Sequence, residues 1–295
     1  MAAPGLVGFV YNARLGEARA LAERLAGTVG EGEAWVASSL EVERFRPACS
    51  KSRLVITLGG DGTILRAVRV AAPAGVPIVG VNMGRVGFMT ELRAEEAMDR
   101  IGLYLEGRGW VEERTMLEAL VHPEASEASA GEGPPPFIGL NDAVVGRGSV
   151  SRLVFVEAKV DGVPLTVYAG DAVVVATATG STGYALAAGG PILHPQSAHL
   201  ILKPVAAHLS LPTALVLPPE SVVDLTVQME HQAMLSVDGF VDLALAPGDR
   251  VRVQRSRLVA RFLRSAPPST FYSTLLQRLG LAGKSGGPPR AVEGP

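Results

Sequence analysis

"LVITLGGDGTILRAV", residues 54–68, joins an apolar strand-like run to a helical pattern through the turn Gly-Gly-Asp-Gly-Thr. Glycines between a strand and a helix let backbone N–H groups approach an anion closely, and the helix N-terminus adds partial positive charge. The turn therefore predicts a phosphate-binding loop that includes Gly60, Gly62 and Thr63. It is not a Walker A loop, because the order G-x-x-x-x-G-K-[ST] is absent and no lysine follows the glycines.

Asp61 lies in the middle of this turn, where a bare carboxylate would repel a phosphate. One interpretation makes Asp61 a general base beside a bound phosphate. The other makes it a turn residue that caps the helix beginning near Thr63, and spacing alone does not separate the two. Arg66, one helical turn further on, is placed to reach the same anion, although an arginine on a solvated helix face is the more common case.

The segments on either side of the turn predict a parallel α/β arrangement. Residues 6–12, LVGFVYN, read as a buried strand, and the helical spacing that follows ends at Gly27. The helix after the glycine turn is followed by a strand at 76–82, and this succession indicates a parallel, right-handed βαβ unit. A further amphipathic helix is predicted near 94–106.

Alternating apolar and polar residues dominate from about 113 to about 265, which predicts an antiparallel β domain. Within it, Asp161-Gly162 is a strong two-residue hairpin signal. The polar stretch at 123–136 is rich in Pro, Gly and Ser and predicts a mobile loop.

A final helical pattern at 267–280 has an apolar face that needs a partner, so we expect the chain to return there to the first domain. This interpretation divides the chain into an α/β nucleotide-binding domain, a β-rich domain and a disordered tail. Their predicted bounds are 1–112 completed by 266–282, then 113–265, then 283–295.

Bulk composition excludes several classes of function. The formal net charge is -2 over 295 residues, so the chain has no overall basic field for nucleic acid or an anionic membrane. The single cysteine, Cys49, cannot form an internal disulfide, and the N-terminal residues lack a signal-peptide pattern. The longest apolar runs fall well short of the roughly 20 residues of a spanning helix. We therefore expect a cytoplasmic protein with no membrane or nucleic-acid partner.

Four motifs together resemble the ATP-NAD kinase family in order, spacing and flanking sequence, over about residues 54 to 255. They are GGDGT (59–63), GVNMGRVGFMTEL (80–92), LND (140–142) and GDAVVVATATGSTGYALAAGGPILHP (170–195). GGDGT alone is also found in diacylglycerol and sphingoid-base kinases, whereas the last stretch is far more specific. The resemblance implies an N-terminal α/β domain with a Rossmann-like, phosphofructokinase-like parallel sheet, an all-β C-terminal domain, and a site in the cleft between them.

The same resemblance implies the reaction. Family members transfer the γ-phosphate of ATP to the 2'-hydroxyl of the adenosine ribose of NAD, with Mg²⁺ accompanying the triphosphate, and assemble as homodimers or homotetramers. Asp61 matches the proton acceptor and Gly62 a residue that lines the dinucleotide site. The other positions that match binding residues are Arg66, Phe88, Asn141, Asp142, Arg152, Asp171, Thr179, Thr182, Gly183, Tyr184 and His208, the last in a segment that approaches a neighbouring subunit's site.

Three positions depart from the family pattern. Asp142 replaces a glutamate, which shortens the side chain by one methylene and predicts a longer or water-mediated contact to the dinucleotide. Ala178 stands where proline is typical and Gly183 where alanine is typical, and both substitutions loosen the binding loop. None of the three removes a functional group, so we expect them to change affinity rather than abolish activity.

Several residues also have a purely structural interpretation. Asn141-Asp142 suits a turn at a strand entry, Tyr184 suits a core aromatic, and Asp238-Gly239 is explained most simply as a hairpin turn. His194 and His208 are isolated from any Cys, His or carboxylate cluster, so no protein-held metal site is predicted.

Two other functions remain possible on the motifs. A lipid kinase that shares GGDGT would carry a different downstream glycine motif and a lipid-facing surface. A non-catalytic dinucleotide-binding sensor would have little use for a base such as Asp61.

Overall fold

The computed structural model describes residues 5–84, 87–124, 135–149, 152–207, 212–228 and 232–280. The predicted tail at 283–295, His208 and most of the predicted loop at 123–136 lie outside these ranges. The first part of the chain contains the helices α1 (Gly16–Ala26), α2 (Arg46–Cys49), α3 (Asp61–Ala74) and α4 (Ala94–Leu105), and the strands β1 (Leu6–Tyr11), β2 (Ala34–Ser38), β3 (Ser52–Gly59), β4 (Ile78–Asn82) and β5 (Leu92–Arg93).

These strands form the predicted parallel sheet, in the order β2-β1-β3-β4. Parallel strands that are covered on both faces need apolar residues at consecutive positions, and β3 is buried from Leu54 to Gly59. Leu21 and Leu25 of α1 pack with Ile101 of α4 in a core cluster on one face, whereas α3 belongs to a second cluster on the other face. Helix α3 ends at Gly75, whose φ of 67° suits a glycine helix stop.

The rest of the chain is rich in antiparallel strands. Its elements are β6 (Trp110–His122), β7 (Phe137–Gly139), β8 (Asp142–Arg147), β9 (Val154–Val160), β10 (Val163–Gly170), β11 (Ala172–Ala176), α5 (Tyr184–Ala187), β12 (Leu200–Val205), β13 (Leu215–Leu217), β14 (Val223–Val227), β15 (Ala233–Val237), β16 (Val241–Leu245), β17 (Arg250–Arg264) and α6 (Thr270–Arg278), with short 3-10 turns at Val42–Phe45 and Gly180–Thr182.

One long strand joins the two halves of the fold. At Phe262, β17 pairs in parallel with Ile78 of β4, and along most of its length it pairs antiparallel with β6. The parallel sheet therefore continues into β14, β9 and β10, and the described strands of this sheet number eleven. The β-rich region and the α/β region share a hydrogen-bonded sheet, so the end of β17 is fixed relative to the ends of the parallel strands.

A second sheet, β13-β12-β11-β8-β15-β16, packs against the antiparallel part of the first. Alternate residues of both sheets, such as Val156, Leu225, Val145 and Val175, enclose a common core. The predicted hairpin between β9 and β10 is present, with φ values of 52° at Asp161 and 80° at Gly162.

Helix α6 returns to the α/β region, as the sequence predicts. The indole of Trp110 donates to the carbonyl of Ala266 at 2.9 Å just before the helix, and Arg278 in its last turn lies over the ring of Phe88. The predicted fold class, an α/β region with a β-rich region and a returning C-terminal helix, is confirmed. Of the described helices, none combines the length and apolarity needed to cross a membrane.

Candidate functional site

Asp61 is the first residue of α3, at the end of β3. Its carboxylate accepts hydrogen bonds from two backbone N–H groups of another loop, at 3.0 Å from Phe88 and 3.2 Å from Met89. The helix N-cap is Gly60, so the Asp61 carboxylate holds the 87–89 loop rather than capping its own helix. Its side chain is 26% exposed, which leaves it accessible to a bound molecule.

Two arginines hold the same loop from the opposite side. Arg264 donates to the carbonyl of Met89 at 2.9 Å, and Arg114 donates to the carbonyl of Phe88 at 3.4 Å. Both also pair with the buried carboxylate of Glu112, and Arg264 approaches Glu91 at 3.3 Å. Neither arginine was singled out from the sequence, because no local pattern indicates their contacts with a loop that lies 26 residues from Arg114 and 175 residues from Arg264.

The charges in this buried cluster determine the protonation state of Glu112. Burial alone would raise the pKa of Glu112, but Arg114 and Arg264 outweigh that effect and hold the pKa below its usual value. Glu112 therefore stays ionised at neutral pH, and its charge is compensated. The loop that contacts Asp61 is thus supported by ionic hydrogen bonds in an environment of low dielectric constant.

A cavity of about 260 Å³ opens beside the glycine turn. Its walls come from the residues that follow β1, β2 and β3, from the start of α3 and from the β15–β16 hairpin. They include Asn12, Arg14, Ser39, Gly60, Gly62, Thr63, Arg66 and Phe240. The guanidinium carbon of Arg66 lies 4.3 Å from the centre of the Phe240 ring, which holds this arginine at the cavity wall. The predicted phosphate loop therefore lines a cavity that two arginines, Arg14 and Arg66, also line.

A second cluster forms where Asn141 meets the ATGSTGY loop. Gly180 packs directly on the backbone of Asn141, and a side chain at position 180 would collide with it. The amide oxygen of Asn141 and the hydroxyl of Thr179 are buried and have no hydrogen-bond partner within the described ranges. Unpartnered buried polar atoms are costly, so this pair is a candidate contact for a polar ligand or an ordered water.

The neighbouring Asp142 is buried against Asp238. Asp238 accepts hydrogen bonds from the backbone N–H groups of Leu140, Asn141 and Asp142, at 2.8, 2.7 and 3.2 Å. Burial, and then the negative charge of Asp238, raise the pKa of Asp142 to about 7. The sequence interpretation explained Asp238 only as a hairpin turn residue, and its φ of 52° suits such a turn. Its carboxylate also holds the segment that carries Asn141.

The remaining predicted residues differ in their surroundings. Thr182 donates to the carbonyl of Thr179 at 2.9 Å. A Cβ atom added to Gly183 would lie 4.0 Å from the amide nitrogen of Asn141. Tyr184, at the start of α5, is 43% exposed. Asp171 pairs with Arg147 at 3.1 Å. Arg152 is exposed just before β9, and His208 lies outside the described residues.

Leu140 connects the two clusters. It belongs to the core cluster that contains Ile64, Leu65 and Val68 of α3, so Asn141 follows a residue packed on the helix that begins with Asp61. The structure thus brings Asp61, Phe88 and the glycine turn together, and separately Asn141, Asp142, Thr179 and Gly183. In the part of the chain that is described, no group of three or more His, Cys, Asp or Glu side chains is arranged to hold a metal ion.

Comparisons with known proteins identify the family of this chain. Models of the ATP-NAD kinase N-terminal and C-terminal domains match residues 9–108 and 140–265. An NAD kinase of Dehalococcoides mccartyi is 41% identical over 275 residues, 92% of this chain and 95% of that protein. The crystal structure of an NAD kinase from Archaeoglobus fulgidus in complex with ATP is similar, with a TM-score of 0.69 and 25% identity over 91% of this chain and 98% of that chain.

A yeast NADH kinase complexed with NADH shares the fold, with a TM-score of 0.81 and 22% identity over 97% of this chain and 90% of that chain. Sequence identity and domain matches extend over both the α/β and the β-rich parts of the fold. The chain belongs to the ATP-NAD kinase family.

Proposed function

We propose that this chain, an enzyme that phosphorylates NAD, uses Asp61 to accept the proton of the adenosine-ribose 2'-hydroxyl as ATP donates its γ-phosphoryl group. The observation that carries the proposal is the position of the Asp61 carboxylate at the N-terminus of α3. Two loop amides orient the carboxylate there, and it stays partly accessible beside the glycine turn. A base must lie within hydrogen-bond reach of the proton it removes, and a fixed, accessible carboxylate meets that requirement.

The cavity beside Gly60 and Gly62 is the proposed site of the ATP phosphates. It lies at the carboxyl ends of β1, β2 and β3. In the sheet order β2-β1-β3-β4, β2 is added on one side of β1, and β3 and β4 on the other, so the switch point lies between β1 and β3. Ligands of open α/β sheets bind outside the carboxyl ends of the strands at such a switch point. Arg14 and Arg66 supply positive charge at this cavity, and the N-terminus of α3 adds its dipole.

The second cluster is the proposed site of NAD. The unpartnered Asn141 oxygen accepts from a hydroxyl or amide N–H of the dinucleotide, and the Thr179 hydroxyl donates or accepts. Tyr184 offers an exposed ring for a stacking contact. The family resemblance also supports binding roles for Thr182 and Gly183 in this region, for Asp171 at the opposite end of β11, for Arg152, and for His208 at a subunit boundary.

In the proposed reaction, the ribose 2'-oxygen bonds to the γ-phosphorus, and the bond from that phosphorus to the β–γ bridging oxygen breaks, so ADP leaves. Asp61 takes the hydroxyl proton. Positioning of the two substrates and neutralisation of the phosphoryl charge supply most of the rate enhancement. We expect Mg²⁺ to enter bound to the triphosphate of ATP, as part of the substrate.

The two alternative functions are not favoured. A lipid kinase would share only GGDGT, whereas both ATP-NAD kinase domains match here. A non-catalytic sensor is at odds with curated relatives that are named NAD kinase across the length of the chain. Assembly as a homodimer or homotetramer and a cytoplasmic location remain predictions from the resemblance and the composition.

The test incubates the purified chain with Mg-ATP and NAD and measures NADP with an NADP-specific dehydrogenase. Asp61→Asn keeps the size of the side chain and one of the two loop contacts, because the Phe88 and Met89 amides donate to different oxygens. The variant is therefore expected to fold and bind NAD, which thermal unfolding and NAD titration check. We expect its kcat to fall by about 10²-fold or more. Turnover close to that of the unmodified chain would contradict the assignment of the base.

A further inference from the structure

Arg278 lies beside the proposed base, although the sequence analysis gave it no role. It belongs to the last turn of α6, more than two hundred residues after Asp61 in the chain. One guanidinium nitrogen is 3.9 Å from the Asp61 carboxylate, and the guanidinium carbon is 4.9 Å from the centre of the Phe88 ring. Its side chain is 33% exposed, so the guanidinium lies near the carboxylate and is also open to solvent.

The chain is held by hydrogen bonds just before α6, whereas α6 itself has no buried residue. Glu91 accepts hydrogen bonds from the backbone N–H groups of Ser265 and Ala266 at 2.8 and 3.2 Å. Phe271 packs edge-on against His194 at 5.5 Å between ring centres, yet no residue of α6 is fully buried. The helix therefore brings Arg278 to the site without a buried residue that fixes the helix in a core.

The other arginines near Asp61 are already engaged. Arg114 and Arg264 are buried and paired with Glu112, and Arg66 stacks on Phe240 at the neighbouring cavity. Arg278 differs from Arg114 and Arg264 because it is partly exposed, and from Arg66 because its long ion pair is with Asp61 itself. A long, partly solvated pair is weak, so a phosphate oxygen can compete for the guanidinium at little cost.

We propose that Arg278 is a catalytic residue that leaves the Asp61 carboxylate and binds the transferring phosphoryl group. A proposed base beside a triphosphate needs a nearby cation, because the carboxylate and the phosphate repel each other. In this position the guanidinium neutralises charge on the phosphoryl oxygens as the bond from the 2'-oxygen forms and the bond to ADP breaks. Stacking on Phe88 keeps the guanidinium within reach of both partners. The proposal rests on Asp61 being the proposed base.

The experiment compares full-length Arg278→Ala and Arg278→Lys with Arg24→Ala and Asp61→Asn. Arg24 is an exposed arginine in the last turn of α1. Arg24→Ala therefore removes the same charge as Arg278→Ala from the same position in a helix, but far from the proposed site. NADP formation from Mg-ATP and NAD gives kcat and both KM values, and thermal unfolding reports folding. We expect Arg278→Ala to lower kcat by about 10²-fold with less than about a threefold change in the KM for NAD.

Three results would overturn the proposal. A kcat equal to that of Arg24→Ala would show that Arg278 takes no part in transfer, and a higher kcat would show that it restrains Asp61. A loss of kcat that follows a loss of thermal stability, with no recovery in Arg278→Lys, would make the contact structural. An active Asp61→Asn variant would refute the assignment of Asp61 as the base. If Asp61→Asn is inactive while Arg278→Ala is fully active, only the role of Arg278 is refuted.

Discussion

At the scale of single residues, the buried carboxylates of Asp142 and Asp238 are the groups most sensitive to pH. Each has a raised pKa, primarily because burial disfavours the charged form, and the value for Asp142 is about 7. Asp142 therefore titrates near neutrality, so it changes between hydrogen-bond donor and acceptor in the range where the enzyme is assayed. The shorter side chain noted in the sequence thus has an electrostatic consequence that the sequence does not reveal.

We predict that Asp142→Asn stabilises the protein at alkaline pH and has little effect in acid. The folded-state pKa of Asp142 is raised, so its favourable contribution is complete below the usual pKa of an aspartate and is lost as pH rises through about 7. At about pH 8 the variant should gain roughly 2–4 kcal/mol of unfolding free energy relative to the parent. Urea denaturation of both proteins at several pH values measures this difference, and a difference independent of pH would contradict the assignment.

At the scale of elements, the β15–β16 hairpin holds the segment 140–142, which includes Asn141 and leads into β8. The hairpin turn places the Asp238 carboxylate against three consecutive backbone N–H groups. Strand β8 starts at Asp142, so these bonds fix the strand entry in one conformation. The orientation of Asn141 toward the proposed NAD site depends on this contact between separate elements.

We predict that Asp238→Ala raises the KM for NAD several-fold more than the KM for ATP, because three amides near Asn141 lose their acceptor. Each buried amide left without a partner costs about 1–3 kcal/mol. Asp238→Asn should be milder, since asparagine tolerates a positive φ and keeps one acceptor oxygen. Steady-state kinetics with each substrate varied in turn provide the measurement.

Asp161→Ala is the matched control for this experiment. Asp161 has the same φ of 52° in the other Asp-Gly hairpin, and its carboxylate also accepts a backbone N–H group, from Val222 at 2.8 Å. We expect this variant to lose stability without a change in the KM for NAD. Equal changes of KM in the two alanine variants would show that the Asp238 hairpin affects binding only through general stability.

At the scale of the whole molecule, the cluster of Glu91, Glu112, Arg114 and Arg264 joins three regions. It connects the loop beside Asp61, the two long strands β6 and β17, and the segment that leads into α6. Replacing a whole buried ion pair by apolar residues is often neutral for the free energy of unfolding, whereas removing one partner alone is costly. It sets the position of the 87–89 loop relative to the rest of the fold.

We predict that Glu112→Gln lowers the unfolding free energy by about 3–5 kcal/mol, because two buried guanidinium groups lose their shared counter-charge. The adjacent Glu113→Gln is the control, since Glu113 forms an exposed pair with Arg261 and its loss should cost at most about 1 kcal/mol. The folded-state pKa of Glu112 is lowered, so its contribution is present above the usual pKa of a glutamate and is lost on acidification. Chemical denaturation at neutral and acidic pH checks both statements, and similar losses in the two variants would contradict them.

Much of the fold follows from local patterns in the sequence. The apolar run before GGDGT, the helical spacing after it and the turn at Asp161-Gly162 each depend on residues a few positions apart, and each appears as predicted. The continuous sheet could not be predicted in this way. It depends on Phe262 pairing with Ile78, and no local pattern specifies which distant strands become neighbours.

The sequence by itself determined the family, the order of elements and the chemistry available at Asp61, Asn141 and Thr179, because motifs and periodicity are local properties of the chain. Only the tertiary structure decided which groups surround those residues. Asp238 reaches a backbone 98 residues away, and Arg264 reaches the loop beside Asp61 across 175 residues. Such contacts form when burial brings distant segments together, and burial is a property of the whole chain rather than of any stretch of it.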